Sequence, residues 1–146
     1  MDVEAVVDLA VPPATVFAEL KDLDCYPEWL SIVQVAKPAG PGPAWLVDLG
    51  TGVGPVRLAK TLRMVRTVSE PPRRLRFERA ELDGRSHSER ILSAVIGGEA
   101  TTRQTMQLRY GGTIRLPFVE LALAEEIRRA GPRLQRFLER TEPPAQ

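Results

Sequence analysis

The sequence predicts an α+β fold in which an antiparallel sheet is followed by one long C-terminal helix. Much of the 146-residue chain alternates apolar and polar residues with the period of two that is typical of strands. Residues 117–140 instead repeat apolar side chains every three or four positions, the spacing of a helix with one buried face. Near the N-terminus, paired prolines separate a strand from two short helices. The predicted order is one strand, two helices, six strands and a long helix.

The N-terminal elements follow from alternation and from proline positions. A strand is predicted from Asp2 to Val11, with the apolar odd positions facing inward. Pro12-Pro13 ends this strand, and Pro13 suits the first turn of a helix because no N–H is needed there. Apolar residues then recur at helical spacing from Val16 to Leu23. Asp24 is expected to cap a second short helix that directs Trp29 and Leu30 to the core.

Turn residues divide the middle of the chain into strands. Proline and glycine clusters at 38–43 and 70–72 predict turns, and Gly97-Gly98 joins two further strands that cover 86–96 and 101–110. The glycine-rich segment 50–55 is interpreted as a flexible connection. Asp83-Gly84 is a strong hairpin signal.

Two strands indicate which side chains share a face. One face of the long strand after residue 55 is expected to carry Val56, Leu58, Leu62, Met64 and Val68. In the last strand, Gln104, Met106, Leu108 and Tyr110 point one way, and Arg103, Thr105, Gln107 and Arg109 point the other. One apolar and one polar face is typical of an antiparallel sheet that is covered on one side.

The C-terminal helix carries one apolar stripe, and Gly131-Pro132 is expected to kink or briefly break it. Residues 1–141 are predicted to form a single domain, and 142–146 a flexible tail.

Composition excludes several classes of protein. The net charge is 20 − 19 = +1, so no global field favours nucleic acid or a membrane surface. A single cysteine rules out an internal disulfide framework. No apolar run approaches the roughly 20 residues of a membrane span, and the acidic N-terminus does not resemble a signal peptide. We therefore expect a cytoplasmic protein without an integral membrane segment.

Motifs along nearly the whole chain resemble one known superfamily. They are residues 13–22 (Pro-Ala-Thr-Val-Phe-Ala-Glu-Leu-Lys-Asp), the Tyr-Pro-Glu-Trp of 26–29, residues 70–77 and 100–110, and the terminal helix. Together they resemble the START-like or Bet v 1-like superfamily, also called the SRPBCC or polyketide cyclase/dehydrase-like family. The resemblance implies a helix-grip fold, in which a curved seven-stranded antiparallel sheet grips the C-terminal helix and leaves a pocket between them.

That resemblance also bounds the function. Members bind lipids, sterols, polyketides or other apolar ligands, some catalyse cyclisation or dehydration of polyketides, and some act as partners of other proteins. The family shares no universal catalytic residue, so no active site is transferred. The leading hypothesis is the binding of a hydrophobic or amphipathic small molecule, lipid or polyketide-like. The alternatives are a polyketide or aromatic cyclase or dehydratase, and a protein-interaction module that uses the same groove. No cofactor is predicted, and the oligomeric state is left open.

The predicted ligand-binding residues are the apolar side chains on the inward faces. They are Trp45, Val47, Leu58, Leu62, Phe77, Leu92, Met106, Leu108, Tyr110, Leu116, Val119, Leu123 and Ile127. The alternative is that these side chains fill a solid core, as apolar stripes usually do.

Charged and reactive residues offer further candidates, each with a structural alternative. Lys60 and Arg66 share the parity of Leu62 and could bind an acidic ligand head, unless a β-bulge or a wet strand end removes them from the interior. His87 and Glu89 would share a face of a strand, although an exposed hairpin histidine is the alternative. With Tyr110, these residues are also the possible acids or bases of a cyclase.

The remaining features do not indicate a functional site, and Cys25, Tyr26 and Trp29 are interpreted as structural. Cys25 lies near a helix N-terminus, which can lower a thiol pKa, but it has no predicted partner base. Tyr26 and Trp29 are expected to pin the second helix to the sheet. The arginine cluster at 73–79 is diluted by glutamates and lacks aromatic partners, so nucleic-acid binding is not predicted. One histidine and one cysteine fall short of a zinc site.

Overall fold

The computed structural model describes residues 2–53, 56–110 and 117–141, and the side chains of these residues except at 50–53, 56–60, 110, 117–120, 122 and 141. The predicted tail, 142–146, lies outside the described residues. The strands are β1 (Asp2–Leu9), β2 (Val33–Pro38), β3 (Ala44–Val53), β4 (Val56–Glu70), β5 (Arg74–Arg79), β6 (Arg90–Gly98) and β7 (Thr102–Tyr110). The helices are α1 (Pro13–Leu20), a 3₁₀ helix (Leu23–Glu28) and α2 (Pro117–Thr141).

The seven strands form one curved antiparallel sheet in the order β1-β7-β6-β5-β4-β3-β2. The N-terminal strand β1 therefore pairs with the C-terminal strand β7, with Val7 opposite Gln104 and Val3 opposite Leu108. The order of elements and the helix-grip architecture confirm the predicted fold class.

The core lies between the inner face of this sheet and α2. The odd residues Val3, Val7 and Leu9 of β1 are buried, as their alternation predicts. On α2, the buried stripe includes Leu123, Ile127, Ala130, Leu134 and Phe137. Gly131 allows the helix to approach β1 closely, because a Cβ atom there would lie 3.1 Å from Cγ1 of Val7. A larger residue at position 131 therefore requires the Val7 side chain or the helix to move by a few tenths of an ångström.

The two N-terminal helices pack on this core, but Asp24 is not a cap. The 3₁₀ helix begins at Leu23, so Asp24 lies inside the helix and the predicted cap is wrong. The Asp24 carboxylate instead accepts a hydrogen bond from Nε1 of Trp45 on β3. The expectation that Trp29 and Leu30 face the core is confirmed, since both are buried.

Two predicted connections differ from the structure. Residues 50–53 are not a flexible connection, because they pair with β4, with Gly50 opposite Ala59 and Val53 opposite Val56. Gly54 and Pro55 lie outside the described residues. The predicted tight hairpin at Asp83-Gly84 is a longer connection, since β5 ends at Arg79 and β6 begins only at Arg90. The expected strand at 86–89 is therefore wrong.

Side-chain hydrogen bonds stabilise the longer connection. The Asp83 carboxylate accepts hydrogen bonds from the backbone N–H of Arg85, at 2.9 Å, and from the His87 ring. The Glu81 carboxylate accepts bonds from the backbone N–H of Arg63 and from Nε of Arg79, at 3.1 and 3.0 Å. These bonds tie the start of the connection to β4 and join Asp83 to residues further along it.

The face of Val68 and the course of α2 at Pro132 also differ from the predictions. The register of β4 against β5 shifts between Arg66 and Val68, so Val68 pairs with Arg76 and leaves the face of Leu62 and Met64. The predicted shared face is thus wrong for Val68. The helix α2 continues through Pro132, so the expected break is wrong, while a kink there stays a prediction. Pro132 is exposed, as is Arg128, so the carbonyl that loses its helical donor can bind water.

Candidate functional site

The inner face of the sheet and the opposing stripe of α2 bring most of the predicted ligand-binding residues together. The side chains of Trp45, Val47, Leu62, Phe77, Leu92, Met106, Leu108, Leu123 and Ile127 are all buried in one apolar cluster. Those of Leu58, Tyr110, Leu116 and Val119 lie outside the described side chains. The placement agrees with the inward faces derived from the sequence, and direct ligand contact stays a prediction.

An aromatic cluster fixes one wall of this interior. The Tyr26 ring lies 4.8 Å from that of Trp29 and 6.0 Å from that of Phe77, and Trp45 lies 5.7 Å from Phe77, as measured between ring centroids. The Tyr26 hydroxyl donates a hydrogen bond of 2.8 Å to the carbonyl of Leu20. Burial raises the pKa of Tyr26 well above its ordinary value, so the phenol stays neutral. These contacts support the interpretation that Tyr26 and Trp29 anchor the 3₁₀ helix.

Arg66 lies at the edge of the interior, where it is already bound. It is opposite Phe77 in the ladder, so it keeps the inner register, and the bulge follows directly after it. Its Nη1 donates to the carbonyl of Lys21 at 2.7 Å and lies 3.3 Å from the Asp22 carboxylate. Its guanidinium is 6.0 Å from the centre of the Trp45 ring. A ligand carboxylate would therefore have to compete with Asp22, and the Lys60 side chain lies outside the described set.

Gln104 is the polar group that sequence reasoning did not single out. Its side chain is 0% exposed on the inner face of β7, between Val7 of β1 and Ile96 of β6 in the ladder. Neither its Nε2 nor its Oε1 has a hydrogen-bond partner. The alternation in the sequence placed Gln104 on the inward face with Met106 and Leu108, which is an unusual position for an amide. Only the structure reveals that this amide has no partner.

Two other reactive candidates, Cys25 and His87, are bonded to neighbouring groups. Burial is the main cause that raises the pKa of the Cys25 thiol to about 12, and the thiol donates to the carbonyl of Glu19 at 3.1 Å. His87 lies 2.8 Å from the Asp83 carboxylate, in the connection outside β6. The predicted shared strand face of His87 and Glu89 is therefore wrong.

Two surface cavities are lined entirely by described residues. One, of about 500 Å³, lies on the outer face of the sheet, on the side opposite α2. The other, of about 530 Å³, lies between the 3₁₀ helix and the end of α2, where it is lined by Glu28, Arg133, Arg136, Glu139 and Arg140. The interior beside the first turns of α2 is bordered by side chains outside the described set. Within the described residues, no helix is long and apolar enough to span a membrane, and no group of three potential metal ligands occurs.

Comparison with known proteins places the chain in a family. Residues 1–142 match the profile of the family described as polyketide cyclase / dehydrase and lipid transport, and the chain belongs to that family. The sequence matches no curated protein.

Solved structures show the same fold at low sequence identity. A protein from Thermus thermophilus superposes with a TM-score of 0.73 at 18% identity, over 98% of this chain and 100% of the other. A START superfamily protein from Mycobacterium smegmatis superposes with a TM-score of 0.73 at 13% sequence identity, over 97% of this chain and 99% of the other. The Zhui aromatase/cyclase from a Streptomyces species superposes with a TM-score of 0.66 at 15% sequence identity, over 96% of this chain and 94% of the other. At these identities the likeness establishes the fold alone.

Proposed function

We propose that the protein binds a hydrophobic or amphipathic small molecule, lipid or polyketide-like, between the inner face of the sheet and α2. Membership in a family of polyketide cyclases, dehydrases and lipid transporters supports this class of ligand. The apolar residues gathered on the inner face supply walls of matching chemistry. The observation that carries the proposal is the partnerless amide of Gln104 among these walls.

The chemistry of this amide defines what a ligand would need. A buried polar group without a partner costs about 1–3 kcal/mol, so a fold with no use for it gains by replacing it. An amide offers one acceptor and two N–H donors, which suit a hydroxyl or a carbonyl-bearing group at one end of an apolar molecule. Gln104 would then orient the ligand, while the residues of the apolar cluster supply most of the contact area.

Native mass spectrometry of protein purified from its own source tests this proposal. We expect a co-purified apolar molecule that is retained by the wild type and lost from a Gln104→Met variant. Gln107→Met is the matched control, because Gln107 lies on the outer face of the same strand and donates to Glu4 at 2.9 Å. Protein that carries no small molecule, and that fails to bind dodecanoic acid or 1-dodecanol, would contradict the proposal.

A cyclase or dehydratase is the second candidate. The family description and the fold shared with an aromatase/cyclase favour it. Such chemistry needs an acid or base that reaches the bound substrate. His87 and Glu89 lie in the connection before β6. Arg66 is on the inner register, but its guanidinium stays protonated, so it would stabilise the negative charge of a developing enolate and would not transfer a proton. Incubation with a linear polyketone thioester, followed by mass spectrometry for loss of water, tests this activity, with Arg66→Met as the variant expected to lose it.

The protein-interaction hypothesis gains no support from the described surface. It needs a large contiguous apolar patch. The large apolar side chains that are most exposed are Val6, Val35, Leu46, Leu82, Val95 and Leu121. In the ladder, Thr105 lies between Val6 and Val95, and polar residues pair directly with Val35 and Leu46. A cytoplasmic location stays a prediction from the sequence.

A further inference from the structure

The cavity of about 500 Å³ on the outer face of the sheet is separate from the proposed ligand space. Side chains of β1, β4, β5, β6 and β7 line it, and the sheet itself divides it from the core under α2. Its volume lies within the range of small-molecule sites. Its existence therefore does not depend on the function proposed for the interior.

The β-ladder explains why a depression forms at this place. Ser93 on β6 lies directly opposite Arg76 of β5 on one side and Gln107 of β7 on the other. Along β6, the neighbours that share its face are Ile91 and Val95. A serine surrounded by four longer side chains leaves a hollow at its own position. Polar groups border this hollow across the strands, and apolar groups border it along β6.

Arg76 provides an unfilled donor beside this hollow. Its Nε is buried and has no hydrogen-bond partner. The nearest carboxylate contact is from Nη2 to Glu78 at 3.6 Å, which is beyond a normal hydrogen bond. Arg109, in contrast, holds Asp2 at 3.0 Å. The Arg76 side chain is 42% exposed, and its guanidinium has no acceptor at normal hydrogen-bond distance among the described residues, so it favours an anion at this point.

The apolar neighbours restrict the kind of anion. Ile91 is almost fully buried although it lies on the outer face, and Val95 is 50% exposed. An inorganic anion would leave Val95 uncovered, whereas an apolar chain could cover it. Asp2 and Glu4 also line the cavity, which disfavours a ligand with several negative charges.

We propose that this depression is a second binding site, for a small apolar monocarboxylate. The carboxylate binds the guanidinium of Arg76 and the hydroxyl of Ser93, and the apolar body lies along β6 against Val95. The site takes up its ligand from solvent on the face of the sheet opposite α2.

A titration with sodium octanoate, followed through side-chain methyl signals in NMR spectra, tests this site. We expect saturable shifts of the Val95 and Ile91 methyl groups on the outer face. 1-Octanol, which has the same chain without the charge, should bind at least about tenfold more weakly, because a hydrogen bond to a charged group contributes about 1.5–3 kcal/mol. Shifts confined to inner residues such as Leu92 and Leu108 would overturn the proposal, although they would support the function proposed above.

Three variants separate the site from general charge effects. Arg76→Gln removes the charged donor and should weaken octanoate binding about tenfold or more. Ser93→Leu fills the hollow and should abolish the outer-face shifts. Arg103→Gln is the matched control, because Arg103 is an exposed arginine on the same face that pairs with Asp8 outside the cavity, and it should leave binding unchanged. Equal losses in Arg76→Gln and Arg103→Gln, or full binding by a folded Ser93→Leu, would overturn the proposal.

Discussion

Replacing Gln104 with methionine should stabilise the ligand-free protein, although most substitutions of buried residues destabilise. Methionine has the length of glutamine and a similar rotamer freedom, so the conformational entropy lost on folding is nearly the same for both. The change removes two polar atoms that are buried on the inner face without partners. Replacing polar atoms that have no partner by apolar atoms of similar shape is neutral or stabilising.

The size of the effect follows from these two atoms. Each buried polar group without a partner costs about 1–3 kcal/mol, and methionine cannot match the shape of the amide fully. We expect an increase of about 2 kcal/mol in the free energy of unfolding. For a chain of this length, that increase corresponds to a melting temperature about 4–8 °C higher.

Urea denaturation of protein stripped of bound molecules measures this change. The Gln107→Met control should change the free energy of unfolding by no more than about 0.5 kcal/mol, because Gln107 is exposed on the outer face. A loss of more than about 1 kcal/mol in Gln104→Met would contradict this expectation. It would mean that an internal water or another group already satisfies the amide, and the proposed role in ligand orientation would lose its main support.

Three further predictions concern other parts of the fold. Cys25 should react with iodoacetamide far more slowly in the native protein than in urea, because burial raises its pKa to about 12; fast native labelling would show that the thiol is accessible and ionised. Burial acts to raise the pKa of Glu81, but hydrogen bonds from Arg63 and Arg79 outweigh it, so the folded pKa lies below the ordinary 4.5. The ionised Glu81 carboxylate therefore stabilises the fold above pH 4.5, and this stabilisation is lost as the pH falls through the lower pKa of the folded state. Glu81→Gln should remove this part of the pH dependence of stability, as measured by urea denaturation at acidic pH. Gly131→Val should lower the free energy of unfolding by about 2 kcal/mol, because even a Cβ atom would crowd Val7 at 3.1 Å. The control Arg133→Val, on the exposed face of α2, should change the free energy of unfolding by less than about 1 kcal/mol. Equal stabilities of the two variants would show that α2 can move away from β1.

The sequence predicted the elements that a local pattern of residues determines. It failed where contacts with distant parts of the chain determine the position of a side chain. Alternation identified the inward residues of β1 and β7 because one face of each strand is buried. The same alternation misplaced Val68, since a bulge depends on pairing with β5 that a single strand does not encode. Asp24 has the residue type of a cap, but its carboxylate bonds to Trp45 of a distant strand.

The candidate sites show the same division. The inward apolar residues could be read from periodicity, whereas the isolation of the Gln104 amide depends on every side chain packed around it. The outer depression at Ser93 likewise requires the registers of β5, β6 and β7, which place Arg76 and Gln107 on either side of a short side chain. Spacing along the chain carries no information about these registers.

The most direct test of ligand binding in the interior is a crystal structure of the protein with the small molecule that co-purifies with it. We expect electron density for that molecule between the inner face of the sheet and α2, with a polar atom within hydrogen-bond distance of the Gln104 amide. An interior filled by side chains, with the molecule bound elsewhere or absent, would show that the proposed binding site is wrong.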